Sequence, residues 1–151
     1  MQGFSGTYEL KPTKWIGGWR GKQLYEFAND ANNPLTYEDA QGNLIRPDQH
    51  QTTDLGSVPK IMQWICPKYF AKDRYIPGYV YHDDAYQNHG WWYAKKGGWN
   101  FRKVTRKQAD IYLRQMVMDL GGSKGNAWAI YMGVRIGGGK SWTHKHSPKA
   151  K

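Results

Sequence analysis

The spacing of apolar and polar residues divides the chain into a β-rich first third and a largely helical remainder. Short aromatic or branched runs bounded by turn residues predict strands at residues 7–10, 23–27 and 35–37. The tripeptide Gln41-Gly42-Asn43 separates residues 35–39 from residues 44–46 and predicts a hairpin turn. We therefore expect an antiparallel β region at the N-terminal end.

Four later segments are predicted to be helical, at residues 58–65, 77–88 and 126–136 and between Thr105 and Gly121. Thr105 and Gln108 predict a capping box, and Gly121 predicts the end of that helix. Apolar residues at helical spacing predict two buried faces: Ala109, Leu113, Met116, Val117 and Leu120, then Ala127, Ile130, Tyr131 and Val134. The predicted fold class is α+β, with an N-terminal antiparallel β region followed by three to four packed helices.

The length of 151 residues predicts one domain, residues 1–139, followed by a basic tail, residues 140–151. Trp142 is the only large apolar residue of that tail. We therefore expect the tail to be flexible unless a partner holds it.

Residues 90–103 combine aromatic, glycine and basic residues in a pattern unlike that of a core. Their tryptophans and paired lysines predict an exposed surface for a membrane or a macromolecular partner: Trp91, Trp92, Lys95, Lys96 and Trp99. Indole rings favour the headgroup region of a bilayer, and lysines attract anionic lipid. The same rings can stack on single-stranded bases or form the hot spots of a protein interface, so the partner stays open.

The net charge of +10, with a pI near 9.7, favours a polyanionic partner such as nucleic acid, anionic lipid or an acidic protein. The single cysteine, Cys66, excludes a disulfide framework within the chain. The first residues lack the pattern of a signal peptide, and no apolar run approaches the roughly 20 residues of a membrane span. We expect synthesis in a cytoplasm.

The clearest candidate for chemistry is the run His82-Asp83-Asp84-Ala85-Tyr86, together with Asp110. His82 and Tyr86 lie one helical turn apart on the same stripe. If the next helix packs antiparallel, Asp110 can reach that stripe, where it would orient His82 as a base for water. The same three residues could instead form a satisfied polar network with only a structural role.

The neighbouring carboxylates have other expected roles. Asp83 points away from His82 by about 100° and is available to a metal or a loop. Asp84 is expected to be a solvated charge on the helix surface. Asp54, in the turn Thr53–Pro59, could accept backbone N–H bonds or join Asp83 as an oxygen ligand.

Four segments of the chain, in this order, resemble a family of small phage and prophage proteins that carries a domain of unknown function. The segments are residues 53–59, 77–83, 106–110 and 131–135. The resemblance spans roughly residues 44–139. It implies a phage or prophage origin, and hence synthesis in a host cytoplasm and a possible place in the virion. It implies no activity.

The pattern His82-Asp83-x-x-Tyr86 with the later Asp110 is also similar to that of phospholipases A2, including the disulfide-free type of parvovirus capsids. This resemblance implies that His82 is the general base, that Asp83 binds Ca²⁺, that Asp110 orients His82 and that Tyr86 steadies Asp110. The glycine-rich calcium loop of that family is absent before the His82 helix. The segment Asp54–Gly56 is the only candidate to replace it.

Two functions follow as expectations. The first is a phage-encoded, calcium-dependent, phospholipase-like hydrolase of lipid esters at the bacterial envelope. The alternative is a non-catalytic virion or assembly protein of the capsid, neck or tail that contacts DNA or neighbouring subunits. The implied partners are an anionic membrane surface, phage structural subunits or nucleic acid. An early protein that inhibits a host factor fits the size and charge but has no motif of its own.

Overall fold

The computed structural model describes residues 2–16, 22–48, 50–53, 73–139 and Trp142. The described strands are β1 Gly3–Ser5, β2 Tyr8–Ile16, β3 Lys22–Asn29, β4 Thr36–Glu38, β5 Leu44–Arg46, β6 His50–Thr53, β7 Gly90–Lys95 and β8 Gly98–Lys103. The described α-helices are α1 Ile76–Asn88, α2 Arg106–Asp119 and α3 Lys124–Gly137. The predicted helix at residues 58–65, Asp54, Cys66 and residues 143–151 lie outside the described residues.

The strands form two antiparallel sheets. One has five strands in the order β1-β4-β5-β7-β8, and the other has three in the order β2-β3-β6. The predicted hairpin turn joins β4 to β5, with Tyr37 paired to Ile45. Gly42 has a φ of 82°, a conformation that glycine adopts without steric cost. The predicted hairpin and the α+β fold class are thus confirmed.

The segment 90–103 follows α1 and precedes α2 in the chain. It forms a hairpin of β7 and β8, which are the last two strands of the five-stranded sheet. The prediction that Trp91 belongs to an exposed surface is wrong, because its side chain is fully buried. Alternate strand residues face opposite sides of a sheet, so Trp91 and Tyr93 both turn toward the core. The Trp91 indole Nε1 donates to the carbonyl of Tyr81 on α1 at 2.8 Å, which satisfies its polar atom.

Helices α2 and α3 follow the signals that predicted them. Thr105 and Gln108 form the capping box of α2, and Ser123 accepts from the backbone N–H of Asn126 at the start of α3. The predicted apolar faces supply buried core residues of the two helices: Ala109, Leu113, Met116, Val117, Ala127, Ile130 and Val134. Among the described helices, none has the length and apolarity needed to cross a membrane.

Helices α1 and α2 run antiparallel. Gly78, near the start of α1, lies against Met116 and Leu113 in the later part of α2. Tyr86, near the end of α1, meets Arg106 at the start of α2. This arrangement brings the middle of α1 alongside the first turns of α2.

The buried hairpin predicts a large difference between two tryptophans. Trp91→Ala leaves a cavity in the core and should lower the free energy of unfolding by about 3–5 kcal/mol. Trp128→Ala removes a side chain that is 53% exposed and should cost less than about 1 kcal/mol. Urea denaturation followed by circular dichroism measures both. Equal losses for the two variants would contradict the burial of the β7–β8 hairpin.

Candidate functional site

The structure brings His82, Tyr86 and Asp110 into direct contact. His82 Nε2 lies 2.7 Å from Asp110 Oδ1, and the Tyr86 hydroxyl donates to the same oxygen at 2.6 Å. The His82 and Tyr86 rings are neighbours on α1, with centroids 4.2 Å apart. One turn of helix therefore presents two hydrogen-bonding side chains to one carboxylate of α2.

Two arginines complete the surroundings of Asp110. Arg135 on α3 donates to Asp110 Oδ2 at 2.8 Å, and Arg106 Nε lies 4.0 Å from the same oxygen. Arg106 also donates to the Tyr86 hydroxyl and to the carbonyls of Val134 and Arg135. These carbonyls belong to the last turn of α3, where a cation is favoured.

The sequence reasoning assigned no role to either arginine in this site. Arg106 stands four residues before Asp110 on α2, a spacing that signals an ion pair on a helix. Arg135 reaches Asp110 from another helix and so has no local signal of this kind, but it belongs to segment 131–135, one of the four that carry the family resemblance.

The hydrogen bonds keep Asp110 ionised although its side chain is fully buried. Burial alone would raise the pKa of Asp110, but hydrogen bonds from His82, Tyr86 and Arg135 outweigh burial and hold the pKa below its usual value. Burial and the adjacent carboxylate raise the pKa of Tyr86, so its hydroxyl stays protonated and serves as a donor. Hydrogen bonding to Asp110 raises the pKa of Arg135.

The site is nearly closed to solvent. The His82 side chain is 9% exposed, and the Asp110 side chain is 0% exposed. Trp142 packs edge-on against Tyr86 and stacks on His89, with ring centroids 5.2 Å and 4.1 Å apart. His89 Nε2 also lies 2.9 Å from the Trp142 carbonyl. The one described residue of the predicted tail thus forms part of the wall of the site.

Only one of the two predicted metal ligands, Asp83, lies among the described residues. Asp83 is partly buried on α1 beside His82, and Asp54 lies outside the described part of the chain. Calcium requires six to eight oxygen ligands. The described residues contain no group of three or more His, Cys, Asp or Glu side chains that could hold a metal. The calcium site therefore stays a prediction.

Asp84 is buried, which contradicts the expectation of a solvated surface charge. Its carboxylate accepts from the Asn88 amide at 2.6 Å and from the backbone N–H of Asp48 at 3.1 Å. Asn88 also donates to Asp48, whose other oxygen accepts from the Trp92 indole at 2.9 Å. This side of α1 packs against the segment that follows β5, a contact that the local sequence does not reveal.

The residues predicted to form one partner surface differ in exposure within the β7–β8 hairpin. Lys95 and Lys96 are exposed at its turn, and Trp99 is partly buried beneath the Arg46 guanidinium, 4.0 Å from its ring. Trp92 is partly buried and hydrogen-bonded, so its indole is not available as a free surface ring.

A comparison with protein-family models matches residues 30–134 to a family described as a protein of unknown function, DUF1353. The match covers more than half of the chain and includes His82, Tyr86 and Asp110. Neither the search of curated proteins nor the search of solved structures gave a match. The family assignment agrees with the predicted domain of unknown function, whereas the phage origin and the phospholipase resemblance remain predictions.

Asp110→Asn should destabilise the protein by about 3 kcal/mol near pH 7, because it leaves the partly buried guanidinium groups of Arg135 and Arg106 without their buried anion. The hydrogen bonds lower the pKa of folded Asp110 below its unfolded value. Its stabilising effect is therefore complete above the unfolded pKa and is lost as the pH falls through the folded pKa. The difference between wild type and variant should shrink below about pH 4.

Denaturation in urea between pH 7 and pH 3 measures this difference. Glu9→Gln is the matched control, since it neutralises an exposed carboxylate and should change stability little. A difference for Asp110→Asn that stays constant in acid would contradict an ionised Asp110 as the source of the effect.

Proposed function

This chain belongs to the DUF1353 family of proteins of unknown function, and we propose that it is a hydrolase in which His82 activates water. The observation that carries the proposal is the pair of short hydrogen bonds from His82 and Tyr86 to one buried carboxylate oxygen of Asp110. An ionised carboxylate only accepts hydrogen bonds. His82 Nε2 is therefore the protonated ring nitrogen, and Nδ1 is left as the acceptor.

This tautomer determines which groups accept and donate the proton during the proposed reaction. Nδ1 of His82 takes a proton from water while the water oxygen attacks the carbonyl carbon of an ester. Asp110 stabilises the imidazolium that forms. When the tetrahedral intermediate collapses, the imidazolium returns the proton to the departing alcohol oxygen. Tyr86 and Arg135 act on Asp110 and are positioning residues in this scheme.

We propose a lipid ester of the bacterial envelope as the substrate class. The likeness of His82-Asp83-x-x-Tyr86 and Asp110 to the phospholipase A2 pattern supports this choice. The net charge of +10 and the exposed Lys95 and Lys96 also favour approach to an anionic bilayer. A phage protein with this activity would act during entry or lysis.

The same network, taken together with Arg135, also fits a second candidate, the non-catalytic virion or assembly protein. Asp110 joins α1, α2 and α3 through His82, Tyr86 and Arg135, which is the arrangement that a purely structural polar network requires. In that case His82 would matter for stability and for nothing else. The two candidates therefore differ in what a substitution of His82 changes.

We expect wild-type protein to release fatty acid from vesicles that contain phosphatidylglycerol. His82→Gln should reduce that rate by about 100-fold or more, because it removes the base. Tyr86→Phe should reduce it less, because Asp110 keeps His82 and Arg135 as partners. Fatty-acid release with calcium and with a chelator, alongside urea denaturation of each variant, provides the measurement.

Asn100→Ala is the control, since it truncates an exposed polar residue of β8 outside the set of residues that contact Asp110. Absence of fatty-acid release by wild-type protein with and without calcium would reject the lipid esterase. Equal rates for wild type and a folded His82→Gln variant would reject His82 as the base. Detection of an inactive protein in purified virions would support the second candidate.

A further inference from the structure

Helices α2 and α3 share an exposed aromatic and apolar surface on the side away from the core. We define the docking face by five residues: Ile111, Arg114, Trp128, Tyr131 and Met132. Trp128 is 53% exposed, and Met132, one turn later on α3, is also exposed. Ile136 continues this stripe and is 65% exposed. Single exposed apolar residues are ordinary, but three exposed apolar residues at four-residue spacing on one helix, Trp128, Met132 and Ile136, indicate an interaction site.

The centre of the docking face is held in place before any partner binds. The Arg114 guanidinium lies 5.3 Å from the Trp128 ring centroid and 5.1 Å from that of Tyr131. The Trp128 and Tyr131 rings are 5.4 Å apart. The long Arg114 side chain is thus restricted by the two rings, which lowers the entropy that binding must overcome.

The residue types of the docking face are those of a protein interface. Tryptophan, tyrosine and arginine dominate binding hot spots, and methionine is enriched at interface centres. We propose that the docking face binds an acidic protein, which places apolar side chains on Trp128 and Met132 and a carboxylate on Arg114. This inference stands on the α2–α3 surface and does not depend on the hydrolase.

Charge and residue type favour this occupant over three others. Helix α3 contains no acidic residue and the chain carries a net charge of +10, so a second copy would bring like charges together. Nucleic acid would leave the aliphatic side chains Ile111, Met132 and Ile136 without an apolar partner. The Arg114 guanidinium lies over the rings of Trp128 and Tyr131, which fixes its plane. A fixed planar guanidinium suits the paired hydrogen bonds of a protein carboxylate better than the mobile headgroups of a membrane surface.

The probe is a labelled amphipathic helical peptide of about 18 residues, with leucines on one face and glutamates on the other. Its anisotropy is titrated with the full-length protein, in parallel with a counterpart that has lysines in place of the glutamates. We expect the acidic peptide to bind and the basic peptide not to bind. Trp128→Ala should weaken binding at least tenfold. Arg114→Glu should abolish binding of the acidic peptide and permit binding of the basic one.

Leu44→Ala is the matched control, because Leu44 is an apolar residue of β5 that is 40% exposed outside the docking face. It should bind the acidic peptide as wild type does. Urea denaturation establishes that each variant is folded. Failure of the acidic peptide to bind, or equal binding by wild type and Trp128→Ala, would overturn the proposal.

Two further measurements assign the surface to another occupant if the proposal is wrong. Binding to phosphatidylglycerol vesicles that Trp128→Ala abolishes would make the docking face a membrane surface. A concentration-dependent dimer in analytical ultracentrifugation that Trp128→Ala dissociates would make it a self-association surface. Either result would overturn the acidic protein partner.

Discussion

The buried carboxylate of Asp110 is the constraint on which the helical half of the molecule depends. It is fully buried, and it accepts hydrogen bonds from His82 and Tyr86 on α1 and from Arg135 on α3. An unpaired charge in such a position would cost several kcal/mol. The three helices can therefore occupy their observed positions only together, because each of α1 and α3 supplies donors that the carboxylate on α2 needs.

The same network restricts His82 in a way that a catalytic base requires. An imidazole bound through Nε2 to a fixed carboxylate has one tautomer and one orientation. The pKa of Asp110 is low because three donors act on it, and this keeps a full negative charge beside the ring. The structural role of this carboxylate and its proposed role in catalysis thus depend on the same contacts. For this reason, loss of stability and loss of activity must be measured separately for each variant.

Features that depend on local sequence could be predicted, and features that depend on distant packing could not. The β4–β5 turn and the capping box of α2 rest on neighbouring residues, so their signals are present in the sequence itself. The approach of His82 to Asp110 followed from helical spacing and from an assumed antiparallel packing. The burial of Trp91 depends on pairing between β5 and β7, which the composition of residues 90–103 concealed. The prediction of a solvated Asp84 was wrong because its burial also depends on distant packing, against Asp48, which lies 36 positions away.

Helix α3 contributes to both proposed sites. Its inner side buries Ala127, Ile130 and Val134. Arg135 and Trp128 are seven positions apart and therefore share the outer side of the helix, from which Arg135 reaches Asp110 and Trp128 is exposed to solvent. The hydrophobic pattern of this 14-residue helix explains its buried core residues, but it does not explain the ion pair or the exposed aromatic residue. The core accounts for the inner stripe, and Asp110 accounts for Arg135. An exposed tryptophan beside a stacked arginine serves neither of these roles, and this is the physical reason to assign the outer side of α3 to a partner.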